Sequence, residues 1–166
     1  MSKSALIPIP VPPHVRQFLL KKFGADPHHV HQNTYIGRQV LMVTEKLPYR
    51  LTRVSPPPMP SSCYRIILPS VLKHHSITED GRRALGAALE KYFLDCMISY
   101  INGFVAATQN ERAGLRAFFA LYDINPDDYD LETGRKAYRD YKDRVLRYND
   151  EFLALNIATG ALAMAS

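Results

Sequence analysis

The stretch TEDGRRALGAALEKYFLDCMISYINGF, residues 78–104, decides the class of fold. Thr78 followed by two acidic residues is typical of a helix start, because a hydroxyl and nearby carboxylates satisfy unpaired backbone N–H groups. The apolar residues that follow recur every three or four positions and form one broad stripe: Leu85, Leu89, Tyr92, Phe93, Cys96, Met97, Tyr100, Ile101 and Phe104. This spacing predicts a long amphipathic helix that buries one face.

Two further helices are predicted after this one. Residues 111–122 place Leu115, Phe118, Phe119 and Tyr122 on one side, and apolar or small residues repeat at helical spacing from Leu131 past Tyr148. Residues 123–130, between these two helices, contain Asn-Pro and an acidic cluster, which are typical of a turn. The acidic residues also favour the positively polarised N-terminus of the last helix. We therefore expect the helical part, about 78–148, to form the main core, with a frayed or flexible tail at 156–166.

The N-terminal part predicts a small β element with short helices. Residues 6–11 alternate apolar residues with proline, which indicates an extended edge strand because proline cannot donate to a sheet ladder. Pro12-Pro13 suits the start of a helix that ends at Gly24. Residues 26–33 are polar and predict a loop, whereas residues 63–68, rich in β-branched and aromatic residues, predict the best strand in the chain.

The segment 34–47 fits either a helix or a buried strand, and Asn33 or Thr34 as an N-cap favours the helix. The proline-rich run at 55–62 predicts a loop or linker. Together these features predict a single α+β domain, mainly α: a basic N-terminal part at about 1–76 and a helical part at about 77–155, with three longer helices of antiparallel type.

Bulk composition limits the class of protein. The 166 residues are 46% hydrophobic and 22% charged, which is the globular range. The sequence has no run of about 18 apolar residues, so we expect no membrane span. Four prolines between residues 8 and 13 break the N-terminal apolar stretch, which is unlike a signal peptide, so the expected compartment is the cytoplasm.

Charge is distributed unevenly along the chain. The formal net charge is +5, yet residues 1–76 carry ten basic residues against two acidic ones, while residues 77–166 carry eleven against fourteen. Uncompensated positive charge interleaved with Tyr35, Tyr49 and Tyr64 can track a phosphate backbone and stack bases, although the tyrosines suit a core equally well. The candidate nucleic-acid-binding residues are Arg38, Lys46, Arg50, Arg53, Arg65 and Lys73, together with Arg135, Lys136 and Arg139 on the last helix.

Motifs that would carry chemistry are missing from the sequence. The histidines at 28, 29, 31, 74 and 75 lack a Glu or Cys at ligand spacing, so they are interpreted as solvated loop residues rather than metal ligands. No nucleophile elbow or glycine-rich phosphate loop occurs, and the acidic run at 123–134 fails both registers of an EF-hand. We expect no catalytic residues, no metal and no cofactor.

The segment GLRAFFALYDI at 114–124, continued by DDYDLET at 127–133 and KAYR at 136–139, resembles helical segments of small phage- and mobile-element-encoded proteins that bear helix-turn-helix units. The resemblance covers about a fifth of the chain and rests on no diagnostic motif. It implies nucleic-acid binding. The connecting loop is longer than the three or four residues typical of that unit.

Two functions follow as expectations. The first is a non-catalytic accessory or regulatory protein that binds DNA or RNA, with the basic N-terminal half as the main contact. The second is a helical protein that assembles with copies of itself and binds no nucleic acid, because three broad apolar faces leave surface that needs a partner. A homo-oligomer is expected in either case.

Overall fold

The computed structural model describes residues 6–24, 26–47, 63–72 and 74–164, with side chains described as far as Asn149. Its helices are α1 (Pro13–Phe23), α2 (Tyr35–Val43), α3 (Glu79–Thr108), α4 (Glu111–Tyr122) and α5 (Leu131–Met164). Its strands are β1 (Leu6–Ile9), β2 (His28–His29), β3 (Thr44–Lys46), β4 (Tyr64–Ile67) and β5 (His75–Ile77). The predicted class, α+β and mainly α, is confirmed.

β4 lies at the centre of a three-stranded sheet in the order β1-β4-β2. β1 runs antiparallel to it, with Ile9 opposite Tyr64, and occupies an edge as its prolines predicted. β2 pairs with it in parallel, with His28 opposite Ile66. The predicted strand at 63–68 is therefore confirmed. Tyr64 is buried, Arg65 is exposed and Ile66 is buried, and this alternation is the reason that the sequence pattern indicated a strand.

Two sequence predictions about the N-terminal part need correction. The loop expected at 26–33 contains the two-residue strand β2. The segment 34–47 begins as the predicted helix, with the Thr34 hydroxyl accepting from the Gly37 amide, but it ends as strand β3, which pairs with β5. Both departures are short strands whose partners are distant in sequence, and hydrophobic periodicity carries little signal for such pairs.

The ends of the helices follow from local capping. The Thr78 hydroxyl accepts from the Gly81 amide at the start of α3, and the Asn110 side chain accepts from the Ala113 amide at the start of α4. Gly24 ends α1 with a φ of 69°, a left-handed conformation that favours glycine. The predicted start and stop of α1, the predicted start of α3 and the predicted bounds of α4 are thereby confirmed.

The core joins the two halves of the chain rather than lying within the helical part alone. Phe18 of α1 packs against Phe93 of α3 and Phe118 of α4, with ring centroids 5.4 Å and 6.1 Å away. Gly86 of α3 brings the helix against β1, because a Cβ there would lie 2.2 Å from the Pro10 carbonyl oxygen. The expectation that residues 78–148 form the main core is wrong, since α1, α2, β1 and β4 supply buried residues to the same core.

α4 and α5 form a helical hairpin joined by residues 123–130. At its base, Gly134 of α5 lies close to Leu115 of α4, where an added Cβ would be 3.0 Å from the Leu115 side chain. The Tyr138 hydroxyl donates to the Asn102 side chain at 2.8 Å, which ties α5 to α3. In the described part of the chain, no helix is both long and apolar enough to cross a membrane.

Candidate nucleic-acid interface

A cleft of about 150 Å³ opens where α4 and the first turn of α5 lie side by side. We call it the arginine cleft, and its lining residues are Arg112, Leu115, Arg116, Leu131, Glu132 and Arg135. Three of its six side chains carry a guanidinium group. The close approach permitted by Gly134 sets the distance between the two helices that form it.

Helical spacing explains why these side chains share one cleft. Arg112 and Arg116 lie four residues apart and therefore one above the other on the same face of α4. Arg135 follows Leu131 by one turn on α5, so the two helices present basic groups beside apolar side chains. Arg112 and Arg116 are exposed and Arg135 is partly exposed, so solvent screens their charges in part.

One carboxylate accompanies the three guanidinium groups. Both oxygens of Glu132 accept from Nη1 of Arg135, at 2.7 Å and 2.9 Å. Among the side chains that the structure describes, no carboxylate forms an ion pair with Arg112 or Arg116. The cleft therefore carries three positive groups against one negative group, and two of the three positive groups face no acidic partner.

Acidic residues near the cleft have other partners. Glu111 forms an ion pair with Lys142, whose Nζ also lies 5.1 Å from the centroid of the Tyr138 ring. The Asp130 carboxylate accepts from the Thr133 amide, and this hydrogen bond lowers the pKa of Asp130. The capping role predicted for the acids before Leu131 is confirmed for Asp130.

The three α5 residues predicted from the sequence do not all lie near the cleft. Arg135 lines it. Arg139 is exposed one turn further along the same flank, whereas Lys136 is exposed about 100° around the helix from Arg135. Arg135 and Arg139 can thus approach one extended anion together, and Lys136 belongs to a neighbouring face.

The predicted residues of the basic N-terminal half lie on separate elements. Arg65 on β4 donates to Asp26 at 2.8 Å, and Asp26 also accepts from Arg16, so Arg65 is tied to an acid while the three groups together keep one positive charge. The hydrogen bond from Arg65 is the largest cause of a lowered pKa of Asp26. Arg38 on α2 and Lys46 on β3 are exposed. Arg50, Arg53 and Lys73, and the linker predicted at 55–62, fall outside the described residues.

The tyrosines among these basic residues differ in what they can contact. Tyr64 is fully buried and therefore cannot stack on a base in this conformation. Tyr35 stacks on Tyr92 with ring centroids 4.5 Å apart, and its face is thus already occupied on one side. Tyr49 lies outside the described residues. The prediction that Tyr64 stacks on a base is wrong, because Tyr64 lies on the face of β4 that packs against the core.

The histidines are not uniformly solvated. His29, His31 and His74 are exposed, as predicted, but His28 packs between Phe23 and Tyr64, with its ring centroid 4.9 Å from that of Phe23. Burial lowers the pKa of His28. Within the described part of the chain, no three His, Cys, Asp or Glu side chains come together in a way that could hold a metal ion.

Sequence reasoning missed Arg112 and Arg116. Their spacing of four residues was visible, but α4 was interpreted through its apolar side alone, and no signal showed that α5 would contribute Arg135 to the same place. Comparison with known proteins adds nothing to this assignment: no family model, no curated protein and no solved structure matches the chain.

Proposed function

We propose that this protein is a non-catalytic accessory or regulatory protein that binds the phosphate backbone of a nucleic acid through the arginine cleft. The observation that carries the proposal is that three arginines and one glutamate line a single cleft. Guanidinium groups suit this ligand because their planar fork of N–H donors matches phosphate oxygens and keeps its charge at every physiological pH.

The size and surroundings of the cleft support the same ligand class. About 150 Å³ accommodates one phosphate group with some water, and Arg139 extends the basic flank along α5. Contacts to phosphate position a protein on nucleic acid without reading sequence. The proposal is therefore one of backbone contact, and the cytoplasm is the compartment in which we expect it.

A titration with duplex DNA, single-stranded DNA and RNA at 50 mM and 200 mM salt tests the proposal. Each phosphate contact releases counterions, so the logarithm of the binding constant falls by roughly 0.7–0.9 per contact for every tenfold rise in salt. We expect measurable binding at low salt with a slope of about 2.1–2.7, from one phosphate contact for each arginine of the cleft. Binding that is absent at both salt concentrations for all three ligands would refute the proposal.

A second candidate function, self-assembly, has an observation of its own. α5 spans 34 residues, about 51 Å. Apolar side chains near residue 145 of this helix are exposed rather than packed against the core. Val145, Leu146 and Tyr148 are 37%, 60% and 69% exposed. The tail residues at 156–166, once expected to fray, continue this helix as far as Met164, although their side chains lie outside the described ones.

Sedimentation tests the second candidate. Self-assembly through α5 predicts a mass that is a multiple of 18.9 kDa without nucleic acid, and a shift toward monomer when Val145 and Tyr148 are replaced by Ser. A monomer at every concentration would leave nucleic-acid binding as the surviving function.

A further inference from the structure

Glu132 is the one acidic side chain of the arginine cleft. It lies in the first turn of α5, three residues before Arg135, and both of its carboxylate oxygens accept from that guanidinium group. Two oxygens on one guanidinium nitrogen are also what a phosphate group would offer. The carboxylate and an incoming phosphate are therefore alternative acceptors for Arg135.

We propose that Glu132 is a built-in competitor that occupies part of the phosphate site in the unbound protein and gives it up when a phosphate group binds. This inference rests on the proposed function, and it names the ligand more narrowly: a tetrahedral phosphoryl oxyanion held by Arg112, Arg116 and Arg135. Competition from Glu132 favours ligands of higher charge density than a carboxylate. A ligand carboxylate would give Arg135 only the same interaction that Glu132 already provides.

Exposure makes this exchange feasible. The Glu132 side chain is 79% exposed and that of Arg135 is 39% exposed, so water can solvate the displaced carboxylate. Exposed ion pairs at this spacing are weak, since solvent screens both charges. Losing the Glu132–Arg135 pair therefore costs little, whereas a phosphate group gains contact with Arg112 and Arg116, which form no ion pair with any described side chain.

The chain offers a matched control in Glu111. Like Glu132 it begins a helix of the same hairpin and forms an ion pair, but its partner is Lys142 and it does not line the cleft. Glu132→Gln and Glu111→Gln thus remove the same charge at nearby positions. Only Glu132→Gln releases an arginine of the cleft.

Fluorescence anisotropy with a labelled single-stranded oligonucleotide, on the full chain, measures the effect. We expect Glu132→Gln to tighten binding by about threefold to fivefold, the range that loss of an exposed ion pair allows. Glu111→Gln should tighten it by less than about twofold, through general charge alone. Weaker binding by Glu132→Gln, or equal effects of the two variants, would overturn the competitor role and show instead that Glu132 positions Arg135 or is a bystander.

A second probe keeps this inference separate from the proposed function. Inorganic phosphate against chloride at equal ionic strength, followed by the Arg side-chain Nε–H resonances, reports occupation of the cleft without nucleic acid. If the oligonucleotide does not bind but phosphate shifts the Arg135 resonance more strongly in Glu132→Gln, the competitor role stands and nucleic acid is the wrong ligand. Should phosphate leave the resonances of both proteins unmoved, the competitor role is wrong.

Discussion

The ring of His14 packs against the ring of Tyr129 with their centroids 4.5 Å apart. This contact packs the start of α1 against the loop between α4 and α5. The ring of Phe93 of α3 also contacts the imidazole, with ring centroids 5.1 Å apart. His14 is buried, and its Nδ1 has no hydrogen-bond partner among the residues that the structure describes. The loop that orients the hairpin is therefore held by a group whose charge depends on pH.

Acid should destabilise the protein through His14. Burial lowers the pKa of His14 below its ordinary 6.5, and the carboxylates of Glu90 and Asp128 offset this only in part. At a pH between the lowered pKa of folded His14 and its ordinary pKa of 6.5, the unfolded chain binds a proton at this residue and the folded chain does not. The free energy of unfolding therefore falls as the pH drops below about 6.5. Urea unfolding at pH 7.5, 6.5 and 5.5 measures this loss.

The matched variants for this prediction are His14→Gln and His29→Gln. His14→Gln removes the titrating group and should flatten the dependence of stability on pH over this range. His29 is exposed, and its substitution should leave the dependence close to that of the parent protein. An equally steep loss in His14→Gln would show that other groups, such as half-buried His28, cause it.

Two glycines of α3 should respond to alanine in opposite directions. At Gly86 a Cβ would meet the Pro10 carbonyl oxygen at 2.2 Å, a backbone atom that moves only with β1, so Gly86→Ala should destabilise by about 1–3 kcal/mol. Gly103 has open space at its Cβ position, so Gly103→Ala should stabilise by about 0.5–1 kcal/mol through helix propensity. Chemical denaturation of both variants checks the sign, and stabilisation by Gly86→Ala would contradict the packing of β1 on α3.

The shared aromatic core predicts a large effect at one residue of α4. Phe118 is buried, with ring centroids 6.1 Å from Phe18 and 5.9 Å from Phe93, so Phe118→Ala should lower the free energy of unfolding by about 3–5 kcal/mol. Leu121 on the same helix is half exposed, and Leu121→Ala should change it by about 0.5 kcal/mol or less. Comparable effects of the two substitutions would mean that α4 packs with another face.

The parts of this fold that the sequence predicted are those encoded locally. The cap Thr78 and the stop at Gly24 act within one turn of their own helix, and the α3 stripe needs only its own periodicity. The sequence did not predict β2 and β5, because each is two or three residues long and is formed only by pairing with a strand that is distant in the sequence. Strand pairing of that kind is a property of the assembled chain.

The candidate site was harder to predict than the fold. Arg135 was found because it lies in a run of basic residues, whereas Arg112 and Arg116 gain meaning only when α5 lies beside α4. Net charge along the chain favoured the N-terminal half, but Arg65 there is paired with Asp26, which lies 39 residues away in the sequence. The placement of the interface in the N-terminal half stays a prediction for Arg38, Lys46 and the undescribed Arg50, Arg53 and Lys73.

One measurement tests the central claim most directly: the affinity for single-stranded DNA, across a salt series, of Arg112→Gln/Arg116→Gln against Arg38→Gln/Lys46→Gln. Each double variant removes two exposed positive charges, so a general electrostatic effect would be equal in both. The arginine cleft predicts that the first variant alone loses affinity strongly and that its salt slope falls by about one for each lost phosphate contact. Strong loss in the second variant, with the first unchanged, would contradict the claim and place the contact on the basic N-terminal half.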